Sequence, residues 1–177
     1  MIHKGMNTMR QVSVWAVLAL ASFSQAQEKS AAASARAEVK NGQGAMLGTV
    51  VITETAAGLR LSGELKDLPA GTHGVHFHQV GKCDPPDFKS AGDHFNPAHK
   101  QHGSLNPQGP HAGDMDNVMV GSNGNLSMDV VAKNLTLKAG PASIIGTSLV
   151  IHAKADDRRT DPSGNSGDRI ACGMVSQ

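Results

Sequence analysis

The sequence predicts an all-β protein, an antiparallel sandwich or flattened barrel of about eight short strands. Short apolar and β-branched runs alternate with turn-forming residues along most of the chain. No segment of useful length has the 3.6-residue period of an amphipathic helix. Two long polar stretches, 81–116 and 154–168, interrupt the strands, and structureless stretches of this length in a compact domain are usually functional.

The strand candidates are bounded by turn signals. Residues 59–66 alternate between leucine or glycine and polar residues, as expected for a half-buried strand. Turns are predicted at 57–58, 122–125 and 139–141, and the second of these favours a hairpin. The first strand is predicted to begin near Glu38, and the others to cover 47–53, 74–80, 118–120, 126–132, 148–153 and 170–175.

Residues 1–26 have the organisation of a secretory signal peptide. Lys4 and Arg10 provide positive charge, an apolar run covers 11–23, and Ser24 and Ala26 fit cleavage after Ala26. The apolar run is shorter than the ~20 residues of a membrane-spanning helix, so we expect no membrane span after cleavage. An uncleaved N-terminal anchor is the alternative.

Residues 27–37, rich in Ala, Ser, Lys and Glu, predict a flexible leader, which leaves 38–177 as one domain. After cleavage, fourteen Lys and Arg face fifteen Asp and Glu, a formal net charge of −1. This balance does not indicate nucleic acid or an anionic membrane as a partner. Four methionines are expected to fill the core and an interface: Met115, Met119, Met128 and Met174.

Cys83 and Cys172 are the only cysteines. Export to an oxidising compartment favours a disulfide between them. Two free buried thiols are the alternative. Paired metal-binding thiolates are less favoured, because neither cysteine belongs to a C-x-x-C pair.

Histidine is unusually abundant: nine occur, seven of them between His73 and His111. His76 and His78 alternate along one predicted strand, so both can reach one metal ion from the same face. Further candidates follow in the chain: His94, His102, His111, Asp114 and His152. Imidazoles with one carboxylate and no thiolate suit Zn(II) and Cu(II) rather than Cu(I), iron–sulfur clusters or calcium.

Two groups of ligands are indicated. His102, His111 and Asp114 in the long loop suit a tetrahedral zinc site, with His94 or His99 as the fourth ligand. The alternatives are solvated histidines or adventitious metal binding. A lone histidine in an apolar strand, such as residue 152, is more often a hydrogen-bonded core residue, but the H-x-H pair elsewhere favours a third ligand there.

Residues 71–78 fit the pattern G-x-H-G-x-H-x-H, and residues 92–97 fit G-x-H-F-N-P. Further motifs follow in order at 102–103, 111–114, 150–157 and 164–173. Together they resemble the signature of the Cu/Zn superoxide dismutases, over essentially the whole chain from about Glu38. The signal region and the insertion at 84–90 are similar to the bacterial exported branch, which implies a periplasmic location.

The resemblance implies an eight-stranded antiparallel Greek-key β-barrel with one copper and one zinc ion per subunit. Copper would be bound by His76, His78, His94 and His152. Zinc would be bound by His94, His102, His111 and Asp114, with His94 as a bridging imidazolate.

Other roles follow from the same resemblance. Asp156 would join a copper ligand to a zinc ligand, and Arg169 would pair with the anionic substrate beside copper. His73 would be structural, and His99 a solvated loop residue. The disulfide of the two cysteines would tie the long loop to the last strand.

The implied function is dismutation of superoxide to O2 and H2O2 through alternating reduction and reoxidation of copper, an antioxidant defence in the periplasm. His94 and Arg169 would be the catalytic residues. Because the mature chain is nearly neutral, attraction of superoxide must be local, through Arg169 and through Lys154, Arg158 or Arg159.

Two other functions are compatible with a histidine-rich β-domain. One is a periplasmic copper or zinc buffer, or a copper-delivery domain, on the same fold. The other is a structural or adhesive sandwich that binds zinc only. The resemblance also leaves a homodimer open, because many members of that family are dimers.

Overall fold

Nine antiparallel strands build the part of the chain that the computed structural model describes, Met1 and residues 33–177. The strands are β1 (Ser34–Asn41), β2 (Met46–Thr55), β3 (Gly58–Leu65), β4 (Gly71–His73), β5 (Val75–His78), β6 (Val118–Val120), β7 (Leu126–Ala132), β8 (Ser148–His152) and β9 (Arg169–Ser176). One 3-10 turn, Lys89–Ala91, is the only helical element in these residues. No helix among them is long and apolar enough to cross a membrane.

The strands form the predicted eight-stranded antiparallel barrel. Seven of them pair in the order β5-β8-β9-β1-β2-β3-β7, and β4 pairs with β6. Only Gly74 separates β4 from β5, so one extended run changes partner from β6 to β8 and counts as a single strand of the barrel. The connections 66–70 and 133–147 join strands that are not neighbours, as in a Greek key.

The first strand corrects the predicted leader. β1 begins at Ser34 instead of near Glu38, so the leader prediction of 27–37 is wrong for its last four residues. Ala35 and Ala37 point into the core and are too small to give a strong strand signal. Pairing with β2 on one side and β9 on the other fixes this segment as a central strand. Residues 2–32, which include nearly all of the predicted signal peptide, lie outside the described residues.

Strands β5 and β8 are buried on both faces. The inward side chains of β5, Val75 and Phe77, belong to the main apolar core, as do Leu149 and Ile151 of β8. The alternate positions of both strands therefore face outward, beneath the long loops. The metal-ligand candidates of both strands lie on this outer face.

A disulfide and a small apolar cluster hold the long loop against this outer face. Cys83 of the loop is bonded to Cys172 of β9, with a Cα–Cα distance of 5.6 Å. Phe88 and Ala91 pack beside it on Val150 of β8. The loop is thereby fixed at two points over the strands that carry the histidines.

The methionines divide into two pairs. Met115 and Met128 are buried, as predicted for core residues. Met119 and Met174 are 67% and 54% exposed, so they are not core residues, and their role at an interface stays a prediction. Both occupy outward positions of strands that alternate between buried and exposed side chains.

Candidate metal centre

Four buried imidazoles meet on the outer face of the barrel. His76 and His78 come from β5, His152 from the end of β8, and His94 from the long loop. One nitrogen from each ring lies within 4.8 Å of the others. A bridge between the backbones of His78 and His94 fixes the loop beside β5.

The second nitrogen of each strand ring is held by a neighbouring acceptor. His78 Nδ1 lies 2.8 Å from the carbonyl oxygen of Gly92, and His152 Nδ1 lies 3.2 Å from that of Gly167. This leaves the two Nε2 atoms facing each other at 3.3 Å. Two neutral imidazoles that already donate from Nδ1 have no proton to share there, so a cation suits this position.

Unpartnered nitrogens show the same fit to a metal. Among the described residues, the buried side-chain atoms without a hydrogen-bond partner are His76 Nδ1, His94 Nε2 and His102 Nδ1. Buried polar atoms are rarely left unpaired, because their desolvation is costly. The residues present therefore fit metal ions that would complete the coordination of these nitrogens.

A second group of ligands surrounds one oxygen of Asp114. Its Oδ1 atom lies 2.9 Å from His94 Nδ1, 3.1 Å from His102 Nδ1 and 3.3 Å from His111 Nδ1. The other oxygen, Oδ2, accepts hydrogen bonds from the backbone N–H groups of Gly103 and His111. Three imidazoles and a carboxylate suit zinc.

His76 also approaches this second group. Grouping by distance places it with His94, His102 and Asp114. His111 also lies beside this group, because its Nδ1 is 3.4 Å from His94 Nδ1 and its backbone N–H donates to the same carboxylate.

One carboxylate joins the two groups. Asp156 Oδ2 lies 2.9 Å from His76 Nε2, and Asp156 Oδ1 lies 3.0 Å from His102 Nε2. The N–H of Arg158 donates to Oδ1 at 2.6 Å. Gly164, at φ 64°, packs so closely that an added Cβ would collide with Oδ1 of this carboxylate. A glycine is required there both for the left-handed backbone and for space.

Burial keeps three histidines of the first group neutral. It lowers the pKa of His78 to about 2, that of His152 to about 3 and that of His94 to about 4, and neighbouring imidazoles lower each further. At neutral pH these rings are unprotonated, which is the form that binds metal.

The carboxylates have the opposite effect on the second group. Burial lowers the pKa of His102, but the adjacent carboxylates of Asp114 and Asp156 outweigh it and raise the pKa to about 9. Burial raises the pKa of Asp114, but its three histidine partners hold that pKa well below its usual range. Without metal, His102 is therefore an imidazolium at neutral pH, between two carboxylates.

Arg169 lies beside the first group, at the start of β9. Its Nη1 donates to the carbonyl of Phe88 at 2.8 Å, and its Nη2 donates to that of Gly92 at 2.7 Å. The Gly92 oxygen is also the acceptor nearest His78 Nδ1. The guanidinium and His78 both line an open cleft, together with His94 and His152.

Two histidines lie outside both groups. The ring of His73 lies between the carbonyl oxygens of Pro69 and His152, at 2.8 and 2.7 Å, a geometry that suits its predicted structural role. His99 is exposed at the rim of the cleft.

The loop cations differ from the prediction. Lys154, Arg158 and Arg159 do not line the cleft in the described residues, whereas Lys100 does. Lys100 was not predicted as a residue of the cleft. Its place between the motif at 92–97 and His102 was the signal that could have indicated it.

Comparison with known proteins identifies the family. The family model for copper/zinc superoxide dismutase matches residues 46–175. The chain belongs to the copper/zinc superoxide dismutase family. As a Cu/Zn superoxide dismutase it uses copper and zinc as cofactors, consistent with the two ligand groups.

Individual relatives agree with this assignment. Superoxide dismutase (Cu-Zn) 1 of Aquifex aeolicus is 45% identical over 161 residues, covering 88% of this chain and 93% of the relative. A Cu-Zn superoxide dismutase of Caulobacter vibrioides is 41% identical over 148 residues, covering 80% and 85%. The crystal structure of a superoxide dismutase-like protein from Bacillus subtilis has a TM-score of 0.76 at 39% identity, covering 78% and 96%.

Proposed function

We propose that copper is bound by His76 Nδ1 and by the Nε2 atoms of His78, His94 and His152. Zinc is bound by the Nδ1 atoms of His94, His102 and His111 and by Asp114 Oδ1. The observation that carries this proposal is the position of His94. Its Nδ1 lies 2.9 Å from Asp114, while its Nε2 has no partner and faces the other histidines.

Copper supplies reversible one-electron chemistry, and zinc supplies a positive charge without redox chemistry. In the overall reaction, two superoxide anions and two protons give O2 and H2O2. Arg169 binds the superoxide anion in the cleft, with its guanidinium oriented by two backbone carbonyls. Because charge-assisted hydrogen bonds are the strong ones, this contact fixes the anion beside the copper ligands.

His94 supplies a proton at its Nε2 atom. Two cations held by one imidazole would favour loss of its second proton, so Nε2 of His94 would release a proton and take one up again during turnover. Without metal, burial lowers the pKa of this ring to about 4, so the ring is a neutral imidazole at neutral pH. His94 lines the cleft, and solvent in the cleft can supply the proton.

We also propose that the enzyme acts in the periplasm as an antioxidant defence. The signal-like features of residues 1–26 support export, and so does a disulfide that an oxidising compartment favours. Fusing residues 1–26 to alkaline phosphatase tests export, because that reporter is active only outside the cytoplasm. An inactive fusion, together with an uncleaved N-terminus in the isolated enzyme, would contradict it.

Metal analysis of three variants tests the ligand assignment. Protein reconstituted with both ions should hold one copper and one zinc per chain and remove superoxide, measured by pulse radiolysis. His152→Gln should lose copper and keep zinc, and His111→Gln should lose zinc first. His94→Gln should weaken both. A protein that takes up zinc but no copper, or that holds both ions without turnover, would overturn the proposal.

A further inference from the structure

We infer that Asp161 is a positioning residue for zinc, which holds two of the proposed ligands, His102 and His111, from the second long loop. This inference rests on the zinc site proposed above. Asp161 lies in the stretch 154–168, whereas both histidines belong to the stretch 81–116. Its Oδ1 atom accepts a hydrogen bond from the backbone N–H of His102 at 2.6 Å and lies 3.7 Å from Nε2 of the His111 ring.

The contact with His111 is made at the outer nitrogen of that ring. Its other nitrogen, Nδ1, lies 3.3 Å from Asp114 Oδ1, among the proposed zinc ligands. At 3.7 Å the Asp161 oxygen is too far for a direct hydrogen bond, but its negative charge favours a proton on Nε2 and so leaves Nδ1 free for the metal. A carboxylate at the outer nitrogen of a metal-binding histidine orients the ring and makes it a stronger ligand.

The contact with His102 holds the backbone of a ligand whose ring is held by other groups. Its Nε2 is bound to Asp156, and its Nδ1 lies 3.1 Å from Asp114 Oδ1. The His102 side chain is fully buried, whereas the Asp161 carboxylate is 49% exposed and lines the cleft. Asp161 therefore binds the zinc ligands at the boundary between the buried site and solvent.

The turn before Asp161 is fixed by local hydrogen bonds. The carboxylate of Asp157 accepts from the N–H groups of Arg159 and Thr160, both at 2.8 Å, and from the Thr160 hydroxyl at 2.6 Å. Because the backbone is ordered by these bonds, little further conformational entropy is lost when the Asp161 carboxylate binds the ligands.

Backbone contacts join the two loops without using the Asp161 side chain. The N–H of Leu105 donates to the Arg158 carbonyl at 2.9 Å, and the Asn106 side chain donates to the Arg159 carbonyl at 3.3 Å. Replacing the Asp161 carboxylate should therefore leave the loops together and act on the zinc ligands alone.

Two variants separate the contacts of Asp161. Asp161→Asn keeps an oxygen that can accept from the His102 N–H but removes the charge that faces His111, and Asp161→Ala removes both. Loss of an outer partner of a metal ligand typically lowers metal affinity about 10–100-fold, and a half-exposed carboxylate belongs at the lower end. The zinc Kd should therefore rise about tenfold in Asp161→Ala and roughly threefold in Asp161→Asn.

Asp93→Asn is the matched control. Asp93 lines the same cleft, so this variant removes the same charge from its wall. In the part of the chain that the structure describes, no histidine lies within 4.0 Å of the Asp93 carboxylate. Zinc affinity should be unchanged in Asp93→Asn.

The measurements are made on protein loaded with both ions and do not depend on turnover. Chelator competition gives the zinc Kd, and pyridylazoresorcinol, which changes colour on binding zinc, gives the rate of zinc release. Cobalt(II) loaded in place of zinc reports the ligand geometry through its visible absorption. We expect faster zinc release and a shifted cobalt spectrum in both Asp161 variants, with copper affinity unchanged.

The outcomes separate this inference from the proposed function. Zinc affinity, release rate and cobalt spectrum equal to those of the parent in both Asp161 variants would overturn the role of Asp161 and leave the two-metal site intact. Loss of zinc and copper affinity in the same proportion would also overturn it, because a general loosening of the loops would explain that result. A parent protein that binds no zinc would instead overturn the proposed site.

Discussion

Replacing Asp156 by asparagine tests whether one carboxylate stabilises both metal groups. Asparagine keeps the size of the side chain but replaces one acceptor oxygen by an NH2 group, which cannot accept a proton from imidazole. In every orientation of the amide, His76 or His102 loses an acceptor, and the other loses a charged one. A hydrogen bond to a charged group contributes about 1.5–3 kcal/mol.

The two sites should respond unequally. His76 is also held by its strand, because β5 pairs with β8 across its backbone. His102 belongs to a loop, and Asp156 is the only partner of its Nε2 in the described residues. Zinc affinity should therefore fall roughly 10–100-fold, which corresponds to about 1.4–2.7 kcal/mol, and copper affinity should fall less.

Chelator competition measures the two affinities separately, with one ion loaded at a time. Asp129→Asn is the matched control, because among residues 33–177 this exposed carboxylate pairs only with Arg60 on the barrel surface. Unchanged zinc affinity in Asp156→Asn, or an equal loss in Asp129→Asn, would refute the reasoning.

Three further predictions follow from the geometry. Arg169→Gln should lower kcat/KM about tenfold with unchanged metal content, because a charge-assisted contact with superoxide is lost. Pulse radiolysis measures the rate, and an unchanged rate would contradict this role of Arg169. Zinc uptake at pH 7.5 should release about one proton per ion, since the pKa of His102 is raised to about 9. Calorimetry in buffers of different ionisation enthalpy measures the number of protons released. That number should decline as the pH rises through 9. Changing Cys83 and Cys172 together to serine opens a loop of sequence separation 89. The free energy of unfolding should fall by at most about 4 kcal/mol, which is measured as a lower Tm. An unaltered Tm would show that the disulfide contributes no stability.

The strands were predictable where side-chain alternation and turn residues agree. β6 and β7 occupy the predicted residues 118–120 and 126–132, because the turn between them is marked by Ser, Asn and Gly. The start of β1 was not predictable, since its inward residues are alanines and its strand conformation depends on pairing with β2 and β9. The change of partner at Gly74 is likewise a tertiary property that a local pattern does not contain.

The candidate site shows the same division. Sequence spacing places His76 and His78 on one strand face, and motif order indicates that distant histidines join them. The charges around the entrance depend on how two long loops fold over each other. For this reason the sequence favoured Lys154 and Arg159 as cations that attract superoxide. Neither of them lines the cleft, whereas Lys100 does.

Strands β5 and β8 carry core residues on one face and metal-ligand candidates on the other. Phe77 and Leu149 pack the barrel, while the histidines on the opposite faces of the same strands are the proposed copper ligands. The entrance is built by loops outside this wall. Engineering can therefore exchange rim residues to suit other salt conditions or other small anions, without rebuilding the copper ligands or the barrel. Natural variants of the enzyme can diverge in the same way, with a variable entrance on an unchanged support.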